Sequence, residues 1–172
     1  MDASFCIYWN CCFYFDLTLM PLNCIFEFMN KVKIIECPRD AMQGIKSHFI
    51  STEAKAGYIN SLLKVGFDTI DFGSFVSPKA IPQMRDTAAV LSKLDISQTQ
   101  SKLLAIIANV RGANDAAQFE EIDYLGYPFS ISENFQMRNT HKTIHQSIEA
   151  LEEILSIAIR RNKEVVAYLS MG

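Results

Sequence analysis

From Val32 onward, short apolar runs alternate with longer segments whose apolar residues recur at helical spacing. Repeated strand–helix units produce this alternation, because a parallel strand needs a long crossover to return to its sheet. Strands are expected over residues 32–37 (VKIIEC), 67–72, 103–108 (LLAIIA), 124–131 and 164–170. The third is apolar throughout, as a strand covered on both faces should be. Helices are expected over 52–65, capped by Thr52 and stopped at Gly66, and from Pro82 with a Met84/Ala88/Leu91/Leu94 stripe. A short helix is expected over 113–121. The last begins at Thr143, where Thr143 and Gln146 form a capping box and Ile144, Ile148, Leu151 and Leu155 form the stripe. The order is β-α-β-α-β-α-β-α-β. Two α/β architectures accommodate it: a doubly wound sheet and half of a (β/α)8 barrel. Periodicity does not separate them. The turn after the first strand reads PRDAMQG, without the G-x-G-x-x-G of a nucleotide-binding doubly wound fold.

The chain of 172 residues is long enough for one domain with a real core. It has 16 Lys and Arg against 19 Asp and Glu, a net charge of −3, and no basic stripe with interleaved aromatics. Nucleic acid is therefore not an expected partner. The N-terminal stretch differs from the rest. No Lys or Arg precedes Lys31, and Cys6, Cys11, Cys12 and Cys24 all lie there with Trp9. A secretory signal would need a cationic start and a small-residue cleavage site. A membrane span would need about 20 mostly apolar residues, and Asn10, Asp16, Pro21, Asn23 and Glu27 interrupt this run. Residues 1–28 are read instead as an apolar extension outside the fold, with the domain over 29–172. Met29 looks like its natural start. Disulfides and a membrane are not expected, and the cytoplasm is the expected compartment. Cys11-Cys12 lacks a second Cys or His pair at zinc spacing.

In both architectures the working face lies at the C-terminal ends of the strands. Polar residues gather there: Arg39, Asp40 and Gln43 after the first strand, then Asp71 and Ser74 at the second. Asn109 and Arg111 follow the third, and Ser132 and Glu133 the fourth. Asp40 could ligate a hard cation and Arg39 could stabilise an enolate oxygen, or the two could merely brace the loop as an ion pair. Asp71 is either a second site carboxylate or a polar strand end. Asn109 is either a substrate contact or a turn residue serving its own loop. His141 and His145 stand four apart, but the Thr143 cap between them argues against a shared helix face. His48 and Lys79 read as solvated.

The run VKIIECPRDAMQG resembles the opening strand and signature loop of hydroxymethylglutaryl-CoA lyases. SFVSPKAIPQM (residues 74–84) is the stronger match, and LLAIIANVRGANDA and FSISENFQMRN are similar to the third and fourth units. The resemblance covers about residues 31–172. It implies an incomplete (β/α)8 barrel, with about the first five strands and four helices. It also implies metal-dependent retro-Claisen cleavage of an acyl-CoA thioester to acetyl-CoA and a keto acid. By resemblance, Asp40 is the metal ligand for Mg or Mn, and Arg39 and Asp71 are catalytic, Asp71 standing where the family has a glutamate. Gln43, Asn109 and Ser132 bind substrate. Cys37, Ala41 and Met42 depart from the family pattern. The family's His-x-His, Gly-Cys-Pro loop and later asparagine are not found, and a full barrel takes about 250 residues. The chain alone is therefore expected to be catalytically insufficient and to self-associate through open barrel edges. The alternative is a non-catalytic acyl-CoA or nucleotide-binding α/β module.

Overall fold

The computed structural model describes residues 32–170, so the proposed extension over 1–28 lies outside the described residues. Five parallel strands are present: β1 (Ile35–Glu36), β2 (Thr69–Ser74), β3 (Lys102–Ile106), β4 (Tyr124–Ser130) and β5 (Glu164–Ser170). They lie side by side in chain order, β1-β2-β3-β4-β5. That order separates the two architectures the sequence left open. A doubly wound sheet reverses direction at a switch point, whereas a barrel adds each strand beside the last. The sheet is the first five strands of an incomplete (β/α)8 barrel.

The helices are α1 (Pro38–Gln43), α2 (Thr52–Leu63), α3 (Thr87–Leu91), α4 (Val110–Ala116), α5 (Glu133–Thr140) and α6 (Ile144–Arg160). A 3-10 turn over Pro82–Met84 precedes α3. Two of these, α1 and α5, were not expected. Several expectations need correction. The first strand is two residues long: Ile35 pairs with Thr69 and Glu36 with Ile70, and before them Ile34 O accepts from Asp68 N at 3.0 Å. The second and third strands are shifted from the expected ranges, and the helix expected over 113–121 starts at Val110, where Asn109 caps it. Ser51, not Thr52, caps α2: its side chain accepts from Ala54 N, while the Thr52 hydroxyl donates to Asp86. Helix α2 ends at Leu63, and Gly66 follows with φ of 90°, a conformation that favours glycine. Pro82 opens a 3-10 turn instead of a long helix, and Ala88 is exposed while Val90 is buried.

The capping box of Thr143 and Gln146 is present as expected. The stripe on α6 is rotated, however. Ser147, Ile154, Ile157 and Ala158 are buried, and Ile148 faces solvent.

Alternation along the strands sorts the apolar residues onto two faces. Leu103 and Ala105 join Ile59, Leu63, Ile70, Phe72, Leu125, Tyr127, Ile154 and Ile157 in the core between sheet and helices. Leu104 and Ile106 point the other way and join Val166, with Val76, Tyr124 and Tyr168 packed against them. This second, smaller cluster occupies the barrel interior. Among the described residues no helix is long and apolar enough to cross a membrane.

Candidate functional site

The site begins with α1, a single short helix set directly after β1. Pro38 occupies its first position, where a missing N–H costs nothing, and Asp40 lies in its first turn, where a negative charge suits the helix N-terminus. Helical spacing then does what a loop would not: Arg39, Asp40 and Gln43 fall within one turn of each other. Arg39 Nη1 donates to Gln43 Oε1 at 2.9 Å and to Asp40 Oδ1 at 3.2 Å. Gln43 Nε2 donates to the same Asp40 oxygen at 2.7 Å.

Asp71 arrives from β2. Sequence reasoning placed it at a strand end, but β2 continues to Ser74. The β2–β3 register shifts between Asp71 and Gly73, with Asp71 opposite Leu104 and Gly73 opposite Ala105. Phe72 is thus the extra residue of a bulge, and it packs into the helix-facing core. Asp71 keeps the face of Leu104, the barrel interior. There it accepts from Arg39 Nη2 at 2.6 Å and from Nε at 3.1 Å to each oxygen. Its side chain is 0% exposed, and that of Arg39 is 11% exposed. This is a two-point guanidinium–carboxylate clamp, the geometry for which arginine is suited and lysine is not.

Burial pushes the Asp71 carboxyl above the ordinary carboxylate range, and the hydrogen bond and charge of Arg39 only partly oppose it. Burial alone would lower the Arg39 value, but the bond and charge of Asp71 outweigh it, so the guanidinium stays protonated. The phenol of Tyr168 adds to that electrostatic effect. Sequence reasoning missed Tyr168; its signal was period-two alternation along β5, which puts Val166 and Tyr168 on one face. Burial, then Asp71, raises the Cys37 thiol, which disfavours a thiolate nucleophile here.

Four of the expected residues, Arg39, Asp40, Gln43 and Asp71, therefore form one bonded cluster. Asn109 and Ser132 lie at the same rim, after β3 and β4, without a bond to it. Asn109 caps α4, its Oδ1 accepting from Gly112 N at 2.9 Å. Ser132 occupies the cap position of α5 without a side-chain cap bond, and its N–H donates to Ser130 Oγ. His141 ends α5 in the left-handed conformation, and His145 faces Glu149 on the surface. His48 and Lys79 are exposed, as expected.

The available donors decide whether the cluster can hold a metal ion. Both oxygens of Asp71 are committed to Arg39, which leaves Asp40, 65% exposed, as the one open carboxylate of the cluster. Among the described residues no three His, Cys, Asp or Glu side chains are grouped to hold a metal ion. A divalent cation takes several oxygen or nitrogen ligands, so the described residues do not suffice for one.

Fold and cluster together define a class: parallel βα half-barrels that carry a charged cluster at the C-terminal rim. No family model matches the chain. The hydroxymethylglutaryl-CoA lyase of Macaca fascicularis mitochondria is 35% identical over 143 residues, 81% of this chain and 42% of that protein. The hydroxymethylglutaryl-CoA lyase YngG of Bacillus subtilis is 33% identical over 144 residues, 83% of this chain and 47% of that protein. The crystal structure of the Bacillus subtilis lyase superposes with a TM-score of 0.75 at 33% identity, covering 81% of this chain and 46% of that one. A lyase from Acinetobacter baumannii, in complex with coenzyme A and 3-methylmalate, superposes with a TM-score of 0.72 at 30% identity, covering 80% and 44%. The chain belongs with the N-terminal part of the hydroxymethylglutaryl-CoA lyase family. It spans under half the length of these relatives.

Proposed function

We propose that this chain carries the enolate-stabilising part of a carbon–carbon lyase of the hydroxymethylglutaryl-CoA type. The reaction is retro-Claisen cleavage of an acyl-CoA thioester to acetyl-CoA and a keto acid. The observation that carries the reading is the clamp of Arg39 on Asp71. A buried carboxylate fixes Nε and Nη2, so Nη1 is aimed without rotamer freedom toward the exposed side occupied by Asp40 and Gln43. A substrate oxygen can displace either of those partners. As the carbon–carbon bond breaks, charge grows on the thioester oxygen of the departing acetyl unit, and a preoriented cation there stabilises it without reorganising. Asp71 is a positioning residue in this scheme. Gln43 and Asp40 orient Nη1 before substrate arrives, and Asn109 and Ser132 are proposed substrate contacts at the neighbouring strand tips. A divalent cation, Mg or Mn, would need ligands beyond Asp40.

The test is complementation. This chain, mixed with the C-terminal half of the Bacillus subtilis relative and Mg²⁺ or Mn²⁺, should release acetyl-CoA from hydroxymethylglutaryl-CoA when neither half does alone. A mixture that associates yet releases nothing would count against the lyase reading. A second reading, a non-catalytic acyl-CoA or nucleotide-binding module, draws on the commitment of both Asp71 oxygens to Arg39. It predicts coenzyme A binding with no product in the same mixture.

A further inference from the structure

Residues 74–84 carry the strongest part of the family resemblance, yet the bonds of the Arg39 cluster involve none of them. Their contribution lies at the far end of α1. That helix cannot hold its own position. It has six residues, its N-cap residue Cys37 makes no side-chain cap bond, and β1 ahead of it has two residues. So short a helix gains little from its own hydrogen bonds. At its C-terminal end the chain runs on into residues 44–49, which are exposed.

Gln83 grips this segment. It sits in the 3-10 turn over Pro82–Met84, against which α1 packs, and is 5% exposed. Its Nε2 donates to Ile45 O at 2.8 Å and to His48 O, and its Oε1 accepts from Ile50 N at 3.1 Å. Two carbonyls on one side and one N–H on the other fix which way the amide lies. All three contacts are to backbone over residues 45–50, so they set the path of the chain.

Gln83 is itself held. Lys55, a buried residue of α2, donates from Nζ to Gln83 O and to Asp86 Oδ1, the latter at 2.6 Å. A second tether is aromatic. The Phe49 ring meets two cations, Lys55 Nζ at 4.1 Å from its centroid and the Arg85 guanidinium at 4.0 Å. The segment after α1 is thus tied to the turn after β2, while Arg39 is tied to β2 itself through Asp71.

We infer that Gln83 is a positioning residue for Arg39. It fixes the chain two residues after Gln43, whose Oε1 accepts from Arg39 Nη1. Asp71 anchors one side of the guanidinium. Gln83 keeps α1, which carries Gln43 and Asp40, from tipping about that anchor. The inference rests on the enolate-stabilising reading of Arg39 and deepens it.

Gln83→Met in the full chain tests it, since it removes all three bonds; circular dichroism reports folding. By NMR, the Ile50 amide should exchange on the order of tenfold faster, and the Arg39 Nε–H that faces Asp71 should shift and exchange faster with it. A faster Ile50 amide beside an unchanged Arg39 Nε–H would overturn the inference, as would an unchanged Ile50 amide. Where the variant does not fold, exchange in the unsubstituted chain decides. A shared opening rate for the Ile50 amide and the Asp40 amide, which donates to Cys37 O, supports one unit. A freely exchanging Ile50 amide beside a protected Asp40 amide overturns it. In the complemented assembly Gln83→Met should lower kcat for acetyl-CoA release by about 10- to 100-fold with KM held, the mark of a misaimed group and not of lost substrate binding. A raised KM with kcat held would overturn the positioning role. An unsubstituted assembly that releases no acetyl-CoA would count against the lyase reading, and the NMR result still decides the tie between Gln83 and Arg39.

Discussion

Replacing Asp71 by alanine should destabilise the fold by an amount set by what it leaves behind. Three hydrogen bonds from Arg39 end on Asp71, and the arginine side chain is 11% exposed. Truncation strands a cation in a nearly water-free position whose remaining acidic neighbour, Asp40, is mostly in solvent. Removing one partner of a buried pair costs about 3–5 kcal/mol, because the survivor stays desolvated without compensation. At roughly 2–4 °C per kcal/mol for a chain of this size, the midpoint should fall by about 6–20 °C. The pair as a whole is a different matter. Arg39→Met with Asp71→Leu replaces two desolvated charges by apolar side chains, and such replacements are often neutral or stabilising. The double variant should therefore melt well above Asp71→Ala. Thermal unfolding followed by circular dichroism measures both. A shift under about 1 °C for Asp71→Ala would refute the clamp, as would a double variant no more stable than the single.

Four further outcomes follow from the same structure. The raised Asp71 value means that the folded state keeps its proton to higher pH than the unfolded state. Its contribution to stability therefore falls as pH rises from 3.8 through the folded value, and carboxyl NMR should place its midpoint above 3.8. Gly112→Ala sets a Cβ against a backbone oxygen that cannot swing away, and should cost about 1–3 kcal/mol in urea unfolding. Thr143→Ala removes the cap bond to Gln146 N and should cost about 1 kcal/mol in the same assay. Strand β5 is an edge among the described residues, with Leu169 exposed. Light scattering should show concentration-dependent self-association that Leu169→Lys reduces.

The strand succession was legible because each buried strand is a short apolar run between helical segments, and the Thr143 capping box was legible because its signal is local. Chain-order pairing was not, since periodicity is the same in either architecture. Helix α1 was read as a loop for a related reason. Six residues are too few for periodicity to register, although this one turn gathers Arg39, Asp40 and Gln43. The inward aim of Asp71 follows from plain alternation with the helix-facing Ile70, whereas the bulge after it, at Phe72, was announced by no residue pattern. The rotation of α6 has a polar cause: Gln136 Nε2 donates to Ser147 Oγ at 2.7 Å, and Tyr127 donates to Ser147 O at 3.1 Å. A serine buried by hydrogen bonds leaves no mark on a hydrophobic stripe. Arg39 and Asp40 were legible as candidates, but the main partner of Arg39 proved to be Asp71, 32 residues away, instead of its neighbour.

The claim that Arg39 serves the departing enolate is tested most directly by Arg39→Gln in the complemented assembly. Losing a preoriented charged donor at the developing oxyanion should lower kcat for acetyl-CoA release by about 100- to 1,000-fold, with coenzyme A still bound. An Arg39→Gln assembly that turns over as fast as the unsubstituted one would contradict it.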